Sequence, residues 1–129
     1  MAHLNELLDD IVRGEDRELP RTVDLTPIED TLAKAWFTVK VLPTDDDADA
    51  IFQKVITTVV SADGNIDEPG TGDPLTGHLY FLLPSADTLL LEADTYYYYD
   101  LKGKSSTGAK KVLEGGRLIV AEQVTQAES

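Results

Sequence analysis

Asp45, Asp46, Asp47 and Asp49 form the first run in this chain whose residue types and spacing suggest chemistry. Asp45, Asp47 and Asp49 open like a calcium loop, where carboxylates at alternate positions wrap one hard cation. The pattern then breaks. Ala50 stands where such a loop needs glycine, and Ile56 where it needs the bidentate glutamate. A solvated helical turn capped by Thr44 is the simpler reading. The acids Asp63, Asp67, Glu68 and Asp73 show no specific spacing, so no metal site is expected. Gly103-Lys104-Ser105 shares three letters with a phosphate-binding loop, but Tyr98 occupies the position of its required first glycine. The histidines, His3 and His78, do not form a pair at metal-ligand spacing, and no G-x-S-x-G elbow occurs. With no cysteine, thiolate chemistry and disulfides are also excluded. The expectation is no catalytic residue, no cofactor and no enzyme.

Aromatic and basic residues are the remaining candidates. In DTYYYYDLKG, residues 94–103, strand alternation sends Tyr97, Tyr99 and Leu101 to one face and Tyr96 and Tyr98 to the other. The first set is expected in the core, with Tyr97 turning its hydroxyl back on the preceding loop. Tyr96 and Tyr98, with Trp36, are left as a possible aromatic surface for a sugar or a protein partner; ordinary cross-strand pairing explains them as well. Lys102, Lys104, Lys110 and Lys111 form a basic cluster at a hairpin. They either protect a solvated edge or dock on an acidic neighbour.

Period and turn chemistry set the elements that hold these residues. Leu4, Leu7, Leu8 and Ile11 recur at i, i+3, i+4 and i+7, which predicts an amphipathic helix over residues 3–13 ended by Gly14. Its apolar stripe either packs on its own domain or inserts into a neighbouring subunit. Strands are predicted over 18–24, with Pro20 confining that strand to an edge, and over 33–41, 51–60, 78–83, 95–103 and 110–124. In 33–41, Ala35, Phe37, Val39 and Val41 share one face. Residues 66–77 read as a long Gly/Pro loop, and residues 84–91 as a short helical turn. The organisation expected is an N-terminal helical arm (1–17), a β-sandwich (18–124) and a tail (125–129).

Bulk numbers narrow the class. The 129 residues suit one domain, and 42% apolar content suits one core. A net charge of −13 argues against nucleic acid and anionic membrane as partners. No run approaches a membrane span.

The stretches RGEDRELPRTV, VDLTPIEDTLAKAWFTVKV, DDDADAIFQK, GHLYFLLPSADTLLL, TYYYYDLKG and VLEGGRLIVAEQVT are spread over residues 13–125. Together they resemble the Ig-like virion structural proteins of tailed phages, similar to the N-terminal domain of phage baseplate upper proteins. The chain departs from that pattern where DLTPIED replaces V-T-x-D-G after the first strand. The resemblance implies an all-β fold, an Ig-like antiparallel β-sandwich with a short N-terminal helix. It implies an accessory virion subunit of the capsid surface, neck, tail or baseplate, made in the host cytoplasm. Partners would be other virion proteins and further copies of itself, met through Leu4, Leu7, Leu8 and Ile11. The alternative is a host-glycan-binding adhesion module of the tail.

Overall fold

The structure, a computed structural model, describes residues 3–42 and 44–122. The described residues form eight strands: β1 (His3–Val12), β2 (Arg17–Asp24), β3 (Leu32–Lys40), β4 (Phe52–Thr57), β5 (Gly64–Thr71), β6 (Thr76–Leu83), β7 (Tyr96–Ser105) and β8 (Lys110–Ala121). A short helix, α1 (Ser85–Thr88), follows β6, and a 3-10 turn spans Asp47–Asp49. Five strands in the order β1-β8-β7-β3-β4 make one sheet, and β2-β6-β5 make the other. Neighbours are antiparallel except β1, which runs parallel to β8.

Alternation builds the core. Ala35, Phe37 and Val39 of β3, Leu79, Phe81 and Leu83 of β6, and Tyr97, Tyr99 and Leu101 of β7 are all buried between the sheets. Phe37 sits at the centre, its ring centroid 5.2 Å from that of Phe81 in the opposite sheet and 5.4 Å from that of Tyr99. These are the tilted contacts that aromatic quadrupoles favour. Val41, expected on this face, lies past the end of β3 and is exposed.

Residues 3–12 are a strand, not the expected helix. The cause of the misreading is a register shift between Leu8 and Ile11. Leu8 pairs with Leu118 and Ile11 with Val120, so two residues three apart both face inward. A bulge of this kind mimics helical spacing in the sequence. An isolated helix of this length is marginal in water, whereas β8 offers a full row of backbone partners. Within the expected arm, residues 3–12 are thus built into the larger sheet, and Arg17 already opens β2 of the smaller one. The turn that follows is tied to the α1 region: Arg13 Nε donates to the Leu91 carbonyl (2.8 Å), and the Gly14 N–H donates to Thr88 Oγ1 (2.9 Å).

The expected loop over 66–77 is also mostly strand. β5 and β6 form a hairpin through these residues, with Gly72 at φ 81° and a cis Asp73–Pro74 peptide. Pro69 is tolerated because β5 is an edge strand whose pairing is irregular around it. Pro20 likewise lies on an edge strand, β2, as its type predicts. The residues expected to form a tail, 125–129, lie outside the described residues.

Candidate functional site

The outer face of the five-stranded sheet carries the candidate residues. Register places Lys34 of β3 opposite Lys104 of β7, and Lys104 opposite Lys110 of β8. Three lysines therefore form one transverse row over adjacent strands, a span of about 10 Å at the usual strand spacing. Trp36 pairs with Lys102 in the next row, and Lys102 with Val112. The Trp36 ring lies 4.5 Å from Lys110 Nζ and 5.2 Å from Lys34 Nζ, both within cation–π range. Beside the ring, Lys102, Lys110, Lys111 and Val112 line an open groove of about 240 Å³. Among the described residues, none of Lys34, Lys104, Lys110 and Lys111 has a carboxylate partner. The β7–β8 hairpin, which carries Lys104, Lys110 and Lys111, is anchored through its turn. Thr107 Oγ1 donates to Asp30 Oδ2 (2.9 Å), and the Ser106 N–H donates to the Thr31 carbonyl (3.0 Å). The Thr31 N–H, then the Thr107 hydroxyl, hold the Asp30 carboxyl below its ordinary range.

The structure does not bring the three outer aromatics together. Tyr98 pairs with Lys40 and Trp36 with Lys102, which puts four strand positions, roughly 13 Å, between them. A polar layer fills the gap: Lys40 Nζ meets Asp100 Oδ2 at 3.4 Å, and Gln53 Nε2 donates to Thr38 Oγ1 at 2.9 Å. Tyr96 is half exposed and packs on Arg117, whose guanidinium carbon is 4.8 Å from the ring. Tyr96 and Tyr98 are therefore separated from the tryptophan, and two of the rings face cations of their own chain.

Of the apolar residues expected to dock, Leu8 and Ile11 are in the core. Leu7 lies on the outer face opposite Arg117 with 43% of its surface exposed, and the Leu4 side chain lies outside the described residues. Exposed apolar residues collect elsewhere. Val41 and Leu42 follow β3, Tyr96 opens β7, and Leu89 and Leu90 follow α1. All five stand at the end of the sandwich opposite the lysine row, since β3 pairs antiparallel with β7 through Lys40 and Tyr98 and Arg13 ties the close of β1 to Leu89 and Leu91.

A polar cluster lies between the sheets. Tyr99 donates to Glu114 Oε2 at 2.6 Å, and Arg21 of the opposite sheet meets Glu114 Oε1 at 2.8 Å. Burial, then the bond to the Glu114 carboxylate, pushes the Tyr99 phenol well above its ordinary range. Burial alone would lower the Arg21 guanidinium, but its bond to Glu114 and the negative charge of Glu114 and its neighbours together raise it. Tyr99 and Glu114 are buried and Arg21 is partly exposed, so the cluster joins the two sheets from inside the sandwich.

Tyr97 fulfils its expected role: the Glu92 N–H donates to its hydroxyl at 2.8 Å. The acidic run forms only the 3-10 turn, with Asp45 Oδ2 accepting from the Leu42 N–H at 3.1 Å, and the Asp47 side chain lies outside the described residues. The described residues hold no cluster of three or more His, Cys, Asp or Glu side chains able to bind a metal ion. His78 Nδ1 is 3.2 Å from the Thr22 hydroxyl on the exposed side of the smaller sheet, and the His3 side chain lies outside the described residues. No described helix is long and apolar enough to cross a membrane. The sequence reading missed Lys34 as a member of the basic cluster. Its signal was present in the shared parity of Lys34 and Trp36, but only the β3–β7 register places it beside Lys104. Compared with protein families, curated proteins and solved structures, the chain matches none.

Proposed function

We propose that this protein is an Ig-like structural subunit that works by non-covalent docking, as an accessory protein of a tailed phage particle. Two features favour the Ig-like reading. One is the strand order, in which strands two, six and five form one sheet and strands eight, seven, three and four run together in the other. The other is the hydroxyl of Tyr97 bonded to the Glu92 backbone, in the manner of a tyrosine corner. The virion setting rests on the resemblance of the stretches quoted above.

The observation that carries the docking reading is the apolar end. Val41, Leu42, Leu89, Leu90 and Tyr96 are each at least half exposed at one end of the sandwich. Large apolar side chains gathered in this way mark interaction surfaces. Neighbouring virion proteins, or further copies of this chain, are the proposed partners. The glycan-binding alternative is weaker, because Trp36, Tyr96 and Tyr98 do not form one platform.

The test is incorporation. Leu89→Asp/Leu90→Asp should fold normally and be lost from purified particles, with the parent chain detected on them by immunogold labelling. Normal incorporation of the folded variant counts against the apolar end, and absence of the parent chain from particles counts against the virion setting.

A further inference from the structure

The lysine row stands out in a chain that is otherwise strongly acidic. Lys34, Lys102, Lys104, Lys110 and Lys111 are five of its 11 basic residues, gathered around its one tryptophan, while 24 acidic residues set the net charge at −13. Like charges placed directly opposite on neighbouring strands are destabilising. Here the arrangement occurs twice in succession, Lys34 to Lys104 and Lys104 to Lys110. Local rules broken in this way concentrate where a surface serves a purpose other than stability.

We propose that this groove is a docking site for a short acidic polypeptide segment, one presenting about three carboxylates within the ~10 Å of the row. The chemistry follows from what lines it. Ammonium groups supply the charge, the stems of Lys102, Lys110 and Lys111 with Val112 supply an apolar floor, and Trp36 stands beside the groove in contact with Lys110. Long side chains of this kind bind through both stem and head. A carboxylate that draws Lys110 off the Trp36 ring replaces a cation–π contact with an ion pair.

The occupant must be compact. Two rows past Trp36, the Lys40 charge is already met by Asp100, and the chain as a whole is negative. An extended polyanion such as nucleic acid or a sulfated polysaccharide would leave the patch and meet repulsion. A short acidic segment would not. This site is separate from the apolar end, and it does not depend on the virion reading.

The experiment is a titration of the purified full chain with a capped hexaglutamate peptide, with hexaglutamine as the neutral control. Trp36 emission reports directly, because it is the only tryptophan, and calorimetry provides a second readout. Expected is saturable binding at low salt that collapses at about 0.5 M salt, where screening acts over a few ångströms. Lys104→Gln/Lys110→Gln, with an unchanged circular dichroism spectrum, should bind about tenfold more weakly. Three results would each overturn the proposal. These are no binding by either readout, equal binding by the double variant, and tighter binding of duplex DNA or heparin than of hexaglutamate. Because particles are not involved, failure here leaves the apolar-end docking untouched.

Discussion

Tyr99 donates its hydroxyl to Glu114 Oε2 across 2.6 Å inside the sandwich, and the same carboxylate is met by Arg21 from the facing sheet. Removing one member of such a cluster leaves the others unsatisfied in a dry place, whereas removing all of them together does not. Tyr99→Phe should cost about 1–3 kcal/mol in urea denaturation. Glu114→Leu, which strands Arg21, should cost roughly 3 kcal/mol, the lower end for a buried pair because the arginine is partly solvated. The triple variant Arg21→Met, Tyr99→Phe, Glu114→Leu should recover most of that loss. A triple variant no more stable than Glu114→Leu would show that the cluster is needed for the fold itself.

The same bond gives the protein an alkaline weakness. Burial, then Glu114, raises the Tyr99 phenol in the folded state above its unfolded value of 10.0. The folded chain thus holds that proton more tightly. The associated stability is complete below pH 10 and declines as pH climbs above it, when the unfolded phenol ionises and the folded one does not. Denaturation midpoints between pH 8 and about pH 11 should fall more steeply for the parent than for Tyr99→Phe. Parallel curves would mean that other groups set the alkaline limit.

Adjacent leucines in β1 should behave in opposite ways. Leu8 is 5% exposed and Leu7 is 43% exposed. Leu8→Ala should cost about 2–5 kcal/mol, the usual range for a core leucine, and Leu7→Ala under about 0.5 kcal/mol. A helix carrying both residues on one stripe would penalise the two changes alike, so thermal melts of the pair separate strand from helix directly.

Gly116 tests how β1 is attached. A Cβ at this position would lie 2.0 Å from the Glu6 carbonyl oxygen and 2.7 Å from the Glu6 nitrogen, both backbone atoms. Gly116→Ala must push β1 away from β8, with a cost of about 1–3 kcal/mol or more for a site with no room. Hydrogen exchange should show faster exchange in β1 while β3 and β7 stay protected. Unchanged β1 protection would mean that the strand shifts without detaching.

How much of this could be read in the residues depended on whether alternation was intact. Strands β6 and β7 keep period two, and β3 keeps it beyond an irregular start at Leu32, so the shared face of Ala35, Phe37 and Val39, the inward set Tyr97, Tyr99 and Leu101, and the turn of the Tyr97 hydroxyl to its upstream loop are legible in the sequence. Where an irregularity intrudes, the reading fails. The shift between Leu8 and Ile11 turned a strand into an apparent helix. Pro69 and the glycines of β5 turned an irregular edge strand into an apparent loop. The basic site was half legible. Lys102, Lys104, Lys110 and Lys111 are close in sequence, but Lys34 joins them only through pairing across strands, which one chain read alone does not display.

The parallel pairing of β1 with β8 also constrains the order of events as the chain is made. Leu8 waits for Leu118, and Ile11 for Val120. At ~5–20 residues per second, the first strand spends on the order of ten seconds without its partner during synthesis. Its inward-facing side chains are exposed throughout that interval, and a ribosome that stalls before β8 leaves them uncovered. The larger sheet is thus completed only when its last-made strand arrives, and contacts this distant in sequence are the slow kind to form. Partial products of this chain should accordingly be recognised by chaperones and proteases through β1.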